Sequence, residues 1–312
     1  MRTAFIKTLL KAAEMDERLW LVVGDLGFGV VEPFAQRFPE RFVNVGVAEQ
    51  NMTGVAAGIA LSGKVVFTYS IANFPTLRCL EQVRNDVCYH NANVKIMAVG
   101  GGFAYGSLGM SHHATEDLAI LRVLPNMTVI APGDPVEAEA ATYAVIEWPG
   151  PCYLRLGRAG EPTVHYGSID FCIGKAITLR EGEDLTLIAT GSMLQQVVSI
   201  ASYLGEQGLT VRVLSMHTLK PLDVEAVRAA ARESRAIATL EEHSRLGGLG
   251  SAVAEVLAEL PDRAVPFTRI GLESAFVSTA GSPEYLRKQF GLTAENIAGR
   301  LLRFLDLSLR VR

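Results

Sequence analysis

Short runs of aliphatic and β-branched residues recur along this chain, each followed by a longer stretch of helical periodicity, and that alternation restricts the fold more than any other feature. Neighbouring strands joined through helices run the same way, because a parallel pair needs a crossover too long for a hairpin. Trp20–Gly24, Phe42–Val47, Val65–Tyr69, Val94–Val99, Thr128–Ala131 and Cys152–Leu156 predict strands, with helices over Gln50–Leu61, Thr76–His90, Glu116–Leu124 and Pro135–Trp148. Between Gly157 and Glu183 the alternation stops, punctuated by Gly157, Gly160, Pro162, Gly167, Gly174 and Gly182, as in a linker. It resumes with strands at Leu185–Ala189, Thr210–Leu214, Ala236–Leu240 and Phe267–Ile270. Helices are expected at Gln195–Gln207, Val224–Arg232, Gly250–Leu260, Pro283–Phe290 and Ala294–Leu307. The chain of 312 residues exceeds what one core usually organises. The expected class is therefore α/β with two domains, each an open, mostly parallel sheet flanked by helices: residues 1–165, a linker over 166–180, and residues 181–312.

Composition narrows the function. Hydrophobic residues make up 49% and charged residues 20%, values of an ordinary globular protein. With 29 Lys plus Arg against 33 Asp plus Glu, the net charge of −4 argues against a nucleic-acid partner. No apolar run reaches membrane-spanning length, and the apolar patch within Met1–Leu10 is broken by Lys7, so a cytoplasmic protein is expected. Cys79, Cys88, Cys152 and Cys172 form no CxxC pair and have no His at ligand spacing. No metal site of the chain's own is expected; the thiols read as reduced and buried.

Glycines after strands raise the question of a dinucleotide. Gly24-Asp25-Leu26-Gly27-Phe28-Gly29 has the spacing GxxGxG, the reverse of the dinucleotide fingerprint, and Gly100, Gly102 and Gly106 miss that fingerprint by one residue. As loops they need no ligand, although ligands of open α/β sheets gather at such strand ends. No GxSxG elbow or Walker A sequence occurs. The adjacent His112 and His113 make a poor chelate, but one is available for chemistry while the other packs.

The most informative segment is Asn44-Val45-Gly46-Val47-Ala48-Glu49-Gln50-Asn51-Met52, where an acid stands between an apolar strand and a helix of small residues. Two readings are open. Glu49 is either a first-turn residue favoured by the helix macrodipole, or an acid in apolar surroundings, where burial favours the protonated form and suits a group that holds or shares a proton.

Gly46-Val47-Ala48-Glu49-Gln50, Gly109-Met110-Ser111-His112-His113-Ala114-Thr115-Glu116-Asp117 and Leu121-Arg122-Val123-Leu124-Pro125-Asn126-Met127 resemble, in order and spacing, the second half of transketolases. The resemblance is nearest to split transketolases, in which two genes encode the two halves. It extends through Ser215-Met216-His217-Thr218-Leu219-Lys220-Pro221-Leu222-Asp223, Glu241-Glu242-His243 and Gly247-Gly248-Leu249-Gly250. It implies a pyrimidine-binding domain and a transketolase C-terminal domain, serving thiamine diphosphate and Mg²⁺ in the transfer of a two-carbon ketol unit from a ketose phosphate to an aldose.

The resemblance also implies roles. Glu49 corresponds to the acid that hydrogen-bonds N1′ of the cofactor's aminopyrimidine, Phe74 to the aromatic residue that stacks on that ring, and Asp25 to an acid near the cofactor. His112 corresponds to the histidine facing the substrate's reacting carbons, and Arg158 to the arginine that binds the substrate phosphate. Three positions depart from the family. Leu108 stands where transketolases have an aspartate that reads a substrate hydroxyl, and Gly29 and Gly100 stand where others have a serine and a histidine of the phosphate site. The GDG sequence with a downstream Asn, which holds Mg²⁺ and the diphosphate in this family, is missing. The implied partner is an N-terminal transketolase subunit carrying that site, in an α2β2 heterotetramer. A deoxyxylulose-phosphate-synthase-like enzyme, the β subunit of a 2-oxo-acid dehydrogenase and a non-catalytic partner subunit are the alternatives.

Overall fold

The computed structural model describes residues 1–261 and 265–310, so positions 262–264, 311 and 312 of the expected second domain lie outside the described residues. The fold is α/β, with two mostly parallel sheets flanked by helices. The first sheet uses β1 (Leu19–Val23), β2 (Phe42–Asn44), β3 (Val65–Ile71), β4 (Val94–Val99), β5 (Thr128–Ile130) and β6 (Cys152–Leu156). The second uses β7 (Ile177–Arg180), β8 (Leu185–Ala189) and β9 (Val211–Ser215). After β10 (Thr218–Lys220) it is completed by β11 (Ile237–Ser244) and β12 (Phe267–Leu272).

In the first sheet the order is β10-β5-β6-β4-β3-β1-β2, all parallel except β10. β4 and β6 are buried along their whole length and read as near-continuous apolar runs, because helices cover both faces of a parallel sheet. The chain steps from β1 outward to β2 and then back across to β3. That reversal opens a crevice at the C-terminal ends of β1 and β3, the switch point where open sheets bind ligands. The second sheet, β12-β11-β8-β9-β7, is parallel apart from the antiparallel edge strand β7.

Several elements differ from expectation. Arg2–Met15 is a helix whose Phe5, Ile6, Leu9 and Ala13 are buried, with Phe5 5.9 Å from Phe67 and 6.2 Å from Tyr69. Lys7 lies on its exposed side, so the charge that interrupts the apolar run does not interrupt the apolar face. β7 lies in the stretch read as linker; its alternating half-buried and exposed residues suit an edge. Thr76–His90 is a 3-10 turn (Leu77–Cys79), one α turn (Leu80–Gln82) and a π-helix (Val83–Cys88) instead of one α-helix. Cys79, Cys88 and Cys152 are buried, but Cys172, within the glycine-punctuated stretch, is exposed. Among the described residues no helix is long and apolar enough to cross a membrane.

The two sheets are fastened together. β10 follows β9 in sequence yet pairs with β5 of the first sheet, and Lys220 Nζ donates to the carbonyls of Arg122 and Leu124 at 3.0 and 2.5 Å. Deeper, Arg155 Nε donates to Asp117 at 2.9 Å while Arg155 Nη2 reaches Ala114 O at 2.6 Å and Glu242 O, in the second sheet, at 3.1 Å. Tyr153 donates its hydroxyl to the same carboxylate at 2.5 Å. Burial alone would push the Arg155 guanidinium down; Asp117 more than offsets it and its proton is held more tightly than usual. Removing one member of a buried ion pair strands the other charge, which costs about 3–5 kcal/mol. Asp117→Ala is therefore expected to lower unfolding free energy by about that amount, measured by urea denaturation against wild type.

Candidate active site

The residues singled out in the first half of the sequence sit in loops or helix starts that follow C-terminal strand ends of the first sheet: Asp25 after β1, Glu49 after β2, Phe74 after β3, Leu108 and His112 after β4, and Arg158 after β6. Asp25 has a left-handed backbone (φ 55°) and is tied to Asn44, whose amide nitrogen donates to its carboxylate at 2.9 Å and whose amide oxygen accepts its backbone N–H at 3.1 Å. That pairing joins the ends of β1 and β2.

Glu49 opens the helix Glu49–Leu61 and is only 1% exposed. Gly24 packs on it; a Cβ there would come within 3.3 Å of Glu49 Cγ, a tight contact. Its Oε2 accepts from Arg78 Nη1 at 2.6 Å, whereas the enclosed Oε1 has no hydrogen-bond partner. The Arg78 guanidinium in turn lies 4.4 Å above the centre of the Phe74 ring, and Phe74 meets the His112 ring edge-on at 5.2 Å. Acid, guanidinium, aromatic ring and imidazole thus form one continuous chain of contacts.

The two histidines separate as their adjacency suggested. His113 is buried, with Nε2 3.2 Å from Gly106 O and its ring edge-on to Phe103. His112 is half-buried, and its Nδ1 lies 3.0 Å from Ser111 Oγ. Burial, and then the neighbouring His113, holds the His112 imidazole below its ordinary pKa, so it is neutral at pH 7 and can donate from one nitrogen. Asn73, beside Phe74, donates to Ser111 O at 3.2 Å and to His113 O at 2.6 Å, which locks the loop after β3 to the histidine loop. A cavity of about 670 Å³ lies alongside, lined by Phe74, Arg78, Met110 and His113 from one side and by Leu272 and Phe276 from the second half of the chain.

Leu108 is 54% exposed on a short 3-10 turn and offers no acceptor. Gly100 has φ 98°, and a Cβ there would lie 2.2 Å from the Tyr105 ring, so Tyr105 fills the space beside this glycine. Arg158 is exposed, 5.5 Å above that same ring. Gly29 is open to solvent, its amide donating to Glu32 at 2.8 Å. Arg78 and Asn73 were not anticipated. The available signal was a charged side chain four residues after Phe74, amid apolar neighbours.

Residues 1–161 match the family described as transketolase, pyrimidine binding domain, and residues 174–297 match transketolase, C-terminal domain. The chain belongs to the transketolase family. It is 42% identical to one of the subunits of the apulose-4-phosphate transketolase of Phocaeicola vulgatus over 305 residues, covering 97% of this chain and 96% of that protein. It is 40% identical to a 6-deoxy-6-sulfo-D-fructose transketolase subunit of a Clostridium species, covering 95% and 92%. A solved structure described as a split gene transketolase, inactive beta4 tetramer, superposes with a TM-score of 0.88 at 40% identity, covering 98% of both chains. The chain thus corresponds to the C-terminal subunit of split transketolases.

Transketolases use thiamine diphosphate with a divalent metal. The site fits the pyrimidine end of that cofactor: Glu49 Oε1 is unpaired and so free to share a proton with a ring nitrogen, and Phe74, linked to it through Arg78, is a partly exposed flat wall. Among the described residues no group of three or more His, Cys, Asp or Glu side chains is placed to hold a metal. The state of His112 is directly testable. Its imidazole resonance should titrate below that of a free imidazole by NMR, and His113→Gln, which removes the neighbouring imidazole, should move the midpoint upward.

Proposed function

We propose that this chain is the pyrimidine-side half of a thiamine-diphosphate-dependent transketolase that moves a two-carbon ketol unit from a ketose phosphate to an aldose. The observation that carries this reading is the contact chain from the Glu49 carboxylate through Arg78 and Phe74 to His112, set in the crevice at the strand ends. When bound, the cofactor supplies a nucleophilic carbon and a sink for the electrons of the broken carbon–carbon bond. The protein's part is binding, orientation and proton placement. Glu49 Oε1 holds and returns a proton at the ring nitrogen N1′. Phe74 stacks on the pyrimidine, worth about 0.5–1.5 kcal/mol beyond area burial. His112 donates to the substrate's carbonyl oxygen as negative charge develops there. Asp25, held by Asn44, lies near the cofactor, and Arg158 takes the anionic end of the substrate.

The reading assigns Mg²⁺ and the diphosphate to an N-terminal transketolase subunit, because no GDG occurs in this sequence. An α2β2 heterotetramer in the cytoplasm follows, with the pyrimidine-binding domain over 1–165, a linker over 166–180 and the C-terminal domain over 181–312. That a related split transketolase is described as inactive in a beta4 tetramer supports the need for the other half. This chain alone should therefore bind thiamine diphosphate with Mg²⁺ weakly or not at all by calorimetry, and mixing with the partner should restore tight binding. Glu49→Gln should pair normally by light scattering yet lose at least about a hundredfold in turnover, since an amide cannot exchange the proton.

Substrate choice rests on Leu108. Without an acceptor at that place the site loses the penalty that rejects a hydroxyl-deficient or rearranged sugar. The proposed substrate is a modified sugar or a non-standard acceptor, a reading supported by relatives named for apulose 4-phosphate and 6-deoxy-6-sulfo-D-fructose. Leu108→Asp should shift kcat/KM toward xylulose 5-phosphate over deoxy, branched or sulfonated analogues by roughly tenfold or more. A wild-type pair that already prefers xylulose 5-phosphate, and a substitution that changes nothing, would defeat the argument from this position.

A further inference from the structure

Arg78 has no role among those assigned so far, yet its guanidinium touches two of the groups that have one. Nη1 donates to Glu49 Oε2 at 2.6 Å, and the guanidinium carbon lies 4.4 Å above the centre of the Phe74 ring. The Glu49 side chain is 1% exposed and that of Arg78 46%, so the pair is closed at the carboxylate and open at the guanidinium. A carboxylate offers two oxygens, and here their fates differ. Oε2 is satisfied by Arg78; Oε1 is enclosed and has no hydrogen-bond partner. A buried acceptor left in that state is unfavourable until a ligand shares a proton with it. The hydroxyl of Thr53, one turn along the helix, donates to the Glu49 main-chain carbonyl at 3.0 Å instead of to the carboxylate.

We propose that Arg78 is the positioning residue for the acid. It fixes Oε2 and so leaves Oε1 as the oxygen addressed to N1′ of an aminopyrimidine, while its flat cation covers Phe74 and keeps that ring in place. This rests on the assignment of Glu49 and Phe74 to the cofactor's pyrimidine. The residue type matters. A guanidinium stays charged at every working pH and is flat enough to stack on an aromatic face while donating sideways to a carboxylate. Lysine keeps the charge and loses the flat face; glutamine keeps a donor and loses the charge.

The test uses the complex assembled with its N-terminal partner subunit. Calorimetry gives the dissociation constants of thiamine diphosphate and of an analogue with carbon in place of N1′. Arg78→Gln is expected to weaken the natural cofactor roughly tenfold, the scale of one charge-assisted hydrogen bond, to leave the analogue within about twofold, and Arg78→Lys to recover most of the loss. Equal weakening of both ligands would mean that Arg78 only supports the fold. Tighter binding of both would mean that it blocks the pocket, and unchanged binding of both that it is idle; any of these three results overturns the proposal. Glu49→Gln in the same complex separates the two levels. If it leaves the ratio of natural to analogue affinity unchanged, the assignment of Glu49 fails; if it alters that ratio and Arg78→Gln does not, only the role of Arg78 fails.

Discussion

Parallel pairing of β1 to β6 is the constraint on which the rest of this structure depends. Parallel strands oblige the chain to return to the same edge before each new strand begins, so every C-terminal end opens on one side of the sheet. Residues from Asp25 to Arg158, far apart in sequence, follow those strand ends for that reason alone, and Glu49, Phe74 and His112 are linked there through Arg78. The reversal of strand order between β1 and β3 supplies the crevice, and Gly24 at the end of β1 packs against Glu49. Architecture places the groups; side-chain chemistry then decides what they do.

Buried charge is the second theme, and two sites treat it differently. Asp117 accepts from both Arg155 and Tyr153 on Oδ2 while its buried Oδ1 has no hydrogen-bond partner, and the same guanidinium reaches a carbonyl of the second sheet. There the charges hold the two halves of the chain in one arrangement. Glu49 is as deeply enclosed and likewise has one oxygen paired, but its partner Arg78 is 46% exposed where Arg155 is buried. An incompletely satisfied acceptor is unfavourable for folding and useful for binding where a ligand can reach it.

Where sequence reading fell short, the cause was tertiary. In the helix Arg2–Met15 the apolar face matters and the apolar run does not, and Lys7 disguised the one as a break in the other. β10 has only three residues, and nothing in Thr218-Leu219-Lys220 says that they will cross to the sheet of the preceding half. Arg78 falls in the first turn of the expected helix Thr76–His90, where nothing local marks it as a partner of Glu49; only the fold brings it onto both Glu49 and Phe74. The pairing of Tyr105 with Gly100 is likewise invisible until the loop closes on itself.

The sequence by itself determined the α/β class, the parallel order implied by strand–helix alternation, and the ordered motifs that resemble transketolases, because periodicity and local chemistry are properties of neighbouring residues. It also marked Leu108 as a position without an acceptor, since that follows from residue type alone. Only the tertiary structure decided which of two adjacent histidines faces Phe74, that one Glu49 oxygen is spoken for and the other is not, and that a buried guanidinium of the first half bonds a main-chain carbonyl of the second. Those are matters of distance and enclosure between segments remote in sequence. No periodicity encodes them; packing does.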